Sequence, residues 1–246
     1  MDVVRPEYVP DPSLSRAEME ALQRDIAGDA VFADETDLPP HGQALVAGVD
    51  QAFPSEDRAV SAVVVMRGDS VVEEVTAEAP VEIPYIPGLL SFREGGSILA
   101  ALEQLDTDPD LLAVDGSGRI HFRQAGLATH IAVTVDTPAL GVAKNLLCGT
   151  PVRPIPDDGL PAGETVPVEA DGDVDAPEGT VIGHAVQTKQ YDGRRHVNPL
   201  WVSPGHRVSA ETAAARVLAH AAGYKLPEPT RRADQLAGEA ARTAGT

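Results

Sequence analysis

Lysine is nearly missing from this sequence. The 246-residue chain has Lys144, Lys189 and Lys225, and every other basic residue is arginine. Against 19 Lys and Arg stand 38 Asp and Glu, a net charge of −19. Taken alone, that excess repels nucleic acid and excludes a basic, DNA-coating protein. It equally describes a surface made for concentrated salt. There the Debye length falls to about 3 Å at 1 M, so self-repulsion and long-range repulsion from phosphate are both screened. We read the charge as habitat rather than function.

Aromatic residues are only 4% of the chain, so its core is aliphatic. The single cysteine, Cys148, excludes an internal disulfide and fits a cytoplasmic protein. The longest apolar runs resemble residues 62–66 and 111–114, far short of the roughly 18 residues that a membrane-spanning helix requires. The first six residues have no basic segment followed by an apolar one, which argues against a secretion signal. These absences predict a cytoplasmic protein with no membrane partner.

What is present is a pattern of short apolar segments. Residues 10–29 read as a surface helix, with Ser15 as N-cap and Glu18 closing a capping box. Residues 45–53, 60–66 and 71–77 read as strands, the last two joined by the tight turn 67–70 into an antiparallel hairpin. Residues 80–88 hold three prolines and form a stiff, irregular loop. A helix over 97–105, a strand over 111–114, a helix over 127–135 and a strand over 139–142 follow. Strands separated by helices pair in parallel through right-handed crossovers. The fold class is therefore α/β, a mixed sheet of about five strands flanked by helices. Residues 181–188 and 196–202 read as further strands, and 209–222 as an Ala-rich helix. Residues 154–180, rich in Pro, Gly, Asp and Glu, read as an acidic surface insertion with no core of its own. Residues 1–43 form an N-terminal helix and loop extension, 44–226 the main domain, and 227–246 a mobile tail or loosely docked helix.

Three acids sit where acids are expensive. Asp50 follows the apolar stretch 45–49, Asp115 ends the apolar stretch 111–114, and Glu94 opens the helix after the proline-rich loop. A buried, unpaired carboxylate shifts its pKa, pairs, or binds a cation. Ligands of open α/β sheets gather at the carboxyl ends of strands. Two carboxylates delivered there by adjacent strands can share one ion, and oxygen-only ligation favours Mg²⁺ or Mn²⁺ over Zn²⁺. Each acid could instead cap a helix or pair with arginine; Arg93 offers Glu94 such a pairing.

These segments resemble the endonuclease V family. The resemblance is carried by Ala47-Gly48-Val49-Asp50, by the run from Pro84-Tyr85-Ile86-Pro87-Gly88 through Leu89-Leu90-Ser91-Phe92-Arg93-Glu94, and by Val114-Asp115-Gly116-Ser117-Gly118. His121-Phe122-Arg123, Gly126 to His130, Gly141-Val142-Ala143-Lys144 and Ser203-Pro204-Gly205-His206 extend it. It implies a ribonuclease H-like fold. It also implies metal-dependent hydrolysis, with Mg²⁺ or in its place Mn²⁺, of the second phosphodiester 3′ to a deaminated base such as deoxyinosine. By resemblance Asp50 and Asp115 are metal ligands, and Glu94 completes the acidic site. Lys144 contacts the phosphate, and His206 positions the attacking water or stabilises charge near the scissile phosphate. Tyr85, held by Pro84, Ile86 and Pro87, is a wedge that enters where the base leaves the helix; Gly88, Leu90 and Gly116 wall the pocket for that base. Ser117 stands where many relatives have His or Asn, and Gly95-Gly96 replaces better helix formers, which predicts a loose helix start.

The expected partner is nucleic acid containing deaminated bases, DNA or also RNA, bound by a monomer. Two other functions compete with this one. One is a ribonuclease H-like nuclease acting on inosine-containing RNA, on hybrids or on junctions; a hybrid-cleaving enzyme has no use for the 84–87 wedge. The other is a non-enzymatic acidic module that binds cations or a partner. The three site acids together with Lys144 and His206 speak against it, since a cation buffer gains nothing from a positive charge beside its ion.

Overall fold

The computed structural model describes residues 1–191 and 196–244. Helix α1 (Arg16–Asp29) starts at Ser15, whose hydroxyl accepts from the Glu18 amide while the Glu18 carboxylate accepts from the Ser15 amide. This is the expected capping box. Strands β1 (Leu45–Ser55), β2 (Arg58–Arg67) and β3 (Ser70–Pro80) form an antiparallel meander. Helix α2 (Leu90–Leu102), β4 (Leu111–Asp115), α3 (Leu127–Val135) and β5 (Ala139–Ala143) follow, with β1, β4 and β5 mutually parallel.

The sheet is larger than expected. After β5 come β6 (Thr150–Pro151), β7 (Thr165–Glu169), β8 (Val181–Val186) and β9 (Leu200–His206). The described residues thus form nine strands in the order β3-β2-β1-β4-β5-β9-β8-β7-β6. The five expected strands are its contiguous half. The other four extend it through antiparallel pairs beginning at β5 and β9.

Two other expectations are corrected. Residues 154–180 are not a coreless insertion: they contain β7 and bury Leu160, Val166, Val168, Ala170 and Val174 in two small clusters. The alternation in Thr165-Val166-Pro167-Val168-Glu169 is diluted by proline and by the acidic surroundings. Of the two readings of the C-terminal segment, the structure has the docked helix and not the mobile tail. After α4 (Ala210–Ala219), helix α5 (Glu228–Ala244) lies across β1 and β2, burying Pro229, Thr230, Ala233 and Ala237. Residues 245–246 of the expected tail lie outside the described residues. Its buried side is a stripe of small residues, which fits a flat sheet face. Gly48 of β1 makes the fit, because a Cβ there would run into the backbone of Pro229 and Thr230.

Helices α2 and α3 cover one sheet face around Ala47, Val49, Leu112, Val114, Ile98, Leu102 and Ile131. On the other face Val46, Leu111, Ala113, Leu140 and Val142 pack with α4. Helix α2 starts seven residues before the expected 97 and takes Gly95-Gly96 into its body. Gly95 is there for contact rather than looseness: a Cβ would lie 2.7 Å from Pro10 Cγ and 3.3 Å from Ile131 Cδ1.

Candidate active site

Strand alternation decides which side chains meet. Val46 of β1, Leu111 and Ala113 of β4, and Leu140 and Val142 of β5 all face the α4 side. Counting on in twos places Asp50, Asp115 and Lys144 on that same face, where the parallel pairing of the three neighbours ends. Val49 pairs with Val114, so Asp50 and Asp115 come one step later, on strands about 4.8 Å apart. Lys144 Nζ donates to Asp115 Oδ2 at 2.8 Å.

The electrostatics follow from this crowding. Asp50 is 6% exposed. Burial first, then the charge of Asp115, push its pKa up to about 8, with Asp234 adding to the rise. Glu94 comes from α2 on the opposite face and is also buried. Burial and then Asp115 raise it to about 7, against the pull of Arg93. Arg93 does not pair with Glu94 as the sequence allowed; its guanidinium donates to Ile83 O at 2.7 Å and lies over Phe53. Burial works against the Lys144 ammonium. The hydrogen bond to Asp115 and the charges of Asp115, Asp50 and Asp234 outweigh that and hold its pKa above the ordinary value.

Asp50, Glu94, Asp115 and Lys144 line one cleft of about 360 Å³, together with Tyr85, Gly88, Leu90 and Gly116. Tyr85 stands at its mouth, 66% exposed. Ile86 anchors the tip against Met19, Leu89 and Phe92, while Pro84 and Pro87 are exposed on either side. Inside, the Gly88 carbonyl accepts from Gln23 Nε2 at 2.9 Å, His121 Nε2 at 3.0 Å and Arg123 Nη2 at 3.2 Å. With Nδ1 accepting from the Arg123 amide, His121 is neutral, and burial pushes its pKa down to about 4. It is part of the wall. His130 is likewise a core residue, spanning Ser91 and the Tyr8 carbonyl.

His206 is not brought to the cleft. It pairs with Ala139 at the start of β5, whereas Lys144 follows Ala143 at the other end, about 17 Å along the strand at roughly 3.3 Å per residue. Its Nδ1 accepts from the Val31 amide at 3.1 Å, and Nε2 lies 3.3 Å from Asp136, the left-handed C-cap of α3. The ring ties β9 to the end of α3 and to the chain after α1. A histidine at the end of an apolar strand looks the same in sequence at either edge of the sheet.

The structure adds residues that sequence reasoning missed. Asp234, on α5, is close enough to act electrostatically on both Asp50 and Lys144. The spacing of Thr230, Ala233 and Ala237 was its one sequence signal. Gln23 brings α1 into the cleft wall, so the first 43 residues are more than an extension. Gln51 also lines the cleft, and its buried Nε2 has no hydrogen-bond partner among the described residues.

A hard divalent cation suits this donor set. Two oxygen donors stand side by side, and their mutual repulsion is what a cation relieves. Among the described residues, no three of His, Cys, Asp and Glu converge into a ready-made cage; Lys144, rather than a third acid, meets Asp115.

The Endonuclease V family model matches residues 29–235. The chain belongs to the endonuclease V family. Endonuclease V of Haloarcula marismortui is 59% identical, covering 98% of this chain and 97% of its own. The crystal structure of endonuclease V from Streptomyces avermitilis superposes with a TM-score of 0.80 at 36% identity, covering both chains completely. That of Ciona intestinalis, in complex with a 24mer DNA containing an inosine followed by a ribo-adenosine, superposes with a TM-score of 0.74 at 25% identity over 93% of this chain and 98% of the other. This endonuclease is therefore a hydrolase, which removes the non-enzymatic alternative. Its haloarchaeal relatives agree with the acidic surface. Among the described residues no helix is long and apolar enough to cross a membrane.

Proposed function

We propose that this endonuclease nicks DNA at the second phosphodiester 3′ to a deaminated base such as deoxyinosine, acting as a monomer with Mg²⁺, for which Mn²⁺ can substitute. The observation that carries this is the meeting of Asp50, Asp115 and Lys144 at one sheet edge, beside a backbone-walled pocket with Tyr85 at its mouth. The Ciona relative crystallised with inosine-containing DNA supports the choice of base.

Asp50 and Asp115 would hold the cation, with Glu94 and Asp234 as the further acids in reach. The chemistry supplied by such an ion is neutralisation of phosphoryl charge and a water of lowered pKa. The protein does the rest. Lys144 brings a positive charge to the phosphate without moving a proton, and Asp115 holds it in place. Glu94, with a pKa near 7, can take or give a proton beside the scissile bond at neutral pH. Gly88 and Gly116 offer backbone to an extruded base, and Tyr85 offers a ring to fill the gap. A mispaired base is the least expensive to extrude. His206 has no part in this scheme.

The test is a duplex carrying one deoxyinosine, beside the same duplex unmodified, incubated with Mg²⁺ in high salt. A nick only in the modified duplex, at the second phosphodiester 3′ to the lesion, is expected. Equal cutting of both duplexes, or of neither, refutes the proposal. An inosine-containing RNA strand cut faster than the DNA would transfer the function to RNA.

A further inference from the structure

All three lysines of this acidic chain stand at one edge of the molecule. Lys144 follows β5. Lys189 follows β8, which runs in the same direction as β5 because β9, between them, is antiparallel to both. Both strands therefore end on the cleft side. Lys225 lies between α4 and α5 and is held there by Thr188, whose hydroxyl donates to the Lys225 carbonyl at 2.5 Å. Burial and then the charge of Lys144 lower the Lys225 pKa, so the two ammonium groups are near enough to repel.

Exposed aromatics lie among them. Lys189 Nζ is 4.8 Å from the ring centre of Tyr191 and 5.8 Å from that of Tyr224. Arg231 covers Tyr224 at 4.4 Å. The two tyrosines are 42% and 49% exposed. Among the described residues the Lys144–Asp115 contact is the one ion pair made by a lysine. With two acids available for every base, a surface that served only solubility would scatter or neutralise its lysines. Each cation–ring contact contributes about 0.5–1 kcal/mol at an exposed site, and none of them requires the lysines to be gathered together. Their gathering does match a nucleic acid strand, whose phosphates seek cations and whose unstacked bases seek π-faces.

We propose that the cleaved strand continues out of the cleft past Lys144 along this edge, with phosphates against Lys189 and Lys225 and an unstacked base on Tyr224. The inference rests on the nucleic-acid substrate argued above and adds a second contact region to it. It also reconciles an acidic protein with a polyanion in strong brine. Lysine contacts fade as salt rises, whereas stacking on Tyr224 persists.

The experiment follows the anisotropy of a fluorescein-labelled oligonucleotide carrying one deoxyinosine, with Ca²⁺ in place of Mg²⁺ so that the acidic site holds an oxygen-ligated ion. KCl is varied upward from the lowest concentration at which the protein stays folded. Each lost phosphate contact on a single strand lowers the slope of log affinity against log salt by about 0.7, or about fivefold in affinity near 0.1 M. Lys189→Gln and Lys225→Gln should each show that loss. Arg67→Gln makes the same charge change at the opposite edge, beside Leu45 at the start of β1, and should leave the slope alone. Tyr224→Leu should weaken binding at every salt concentration without changing the slope. If both lysine variants match Arg67→Gln while wild type binds the strand, the edge is not a contact and this inference falls alone. If wild type does not bind the strand at all, the substrate assignment falls with it.

Discussion

Replacing Gly48 by alanine separates two accounts of the C-terminal segment by the sign of its effect. Glycine inside a strand is less stable than alanine by about 0.5–1 kcal/mol, because its backbone loses more freedom on folding. Were residues 227–244 a mobile tail, Gly48→Ala would therefore stabilise the protein. In the structure the new Cβ would sit inside the van der Waals envelope of the Pro229 carbonyl and the Thr230 amide. Ordinary carbon contacts need about 3.5 Å, so one partner must retreat by more than about 1 Å. Strand β1 is hydrogen-bonded on both sides, to β2 and β4, so α5 gives way. Overpacking of this kind costs about 1–3 kcal/mol. At about 2–4 °C per kcal/mol for a chain this size, the melting temperature falls by roughly 2–12 °C. Asp234 follows Thr230 by one helical turn and moves with it. A displacement of about 1 Å in an active site can lower the rate about a hundredfold. The assays are thermal melting in molar KCl and single-turnover nicking of a deoxyinosine duplex at saturating Mg²⁺. A raised melting temperature with unchanged nicking would refute the docking of α5 and the place given to Asp234.

Four further outcomes are expected. Asp234→Asn should lower single-turnover nicking by about a hundredfold with little change in melting temperature, as for a preorganised group near the reacting charge; a rate within threefold of wild type would remove Asp234 from the site. Folding raises the Asp50 pKa to about 8, so its contribution to metal-free stability is fully present below about 3.8 and is lost as pH rises through about 8. In EDTA, Asp50→Asn should therefore gain stability over wild type between pH 4 and pH 8, by about 1–3 kcal/mol once the coupling to Asp115 is discounted; melting temperatures that track each other across that range would contradict the burial and repulsion inferred here. His206→Gln should melt about 2–12 °C lower, from about 1–3 kcal/mol for unsatisfied partners, with nicking intact; loss of nicking in a folded variant would return His206 to the chemistry. Tyr85→Ala should raise KM for the deoxyinosine duplex more than it lowers kcat, and the opposite split would argue against a recognition wedge.

Sequence alone determined the features carried by local patterns of strong signal. The capping box at Ser15, the hairpin about residues 67–70, α3 and the order of β1 to β5 are set by neighbours within a few positions, so they are legible without tertiary structure. The cleft acids were legible for a related reason. A carboxylate after an apolar run is an energetic anomaly that sequence displays directly, whereas Lys144 was indicated by the family resemblance and its common face with Asp50 and Asp115 by the packed sheet. Tertiary structure alone decided what depends on which strands are neighbours and which edge a residue reaches. His206 closes an apolar strand as Asp115 does, but β9 runs antiparallel to β5 and delivers it to the far edge. Helix α5 is held by Ala233, Ala237 and the missing side chain of Gly48; its one-sided spacing is legible in sequence, but which sheet face it covers is not. Asp234 and the gathering of three lysines distant in sequence exist only once those chain segments are folded together.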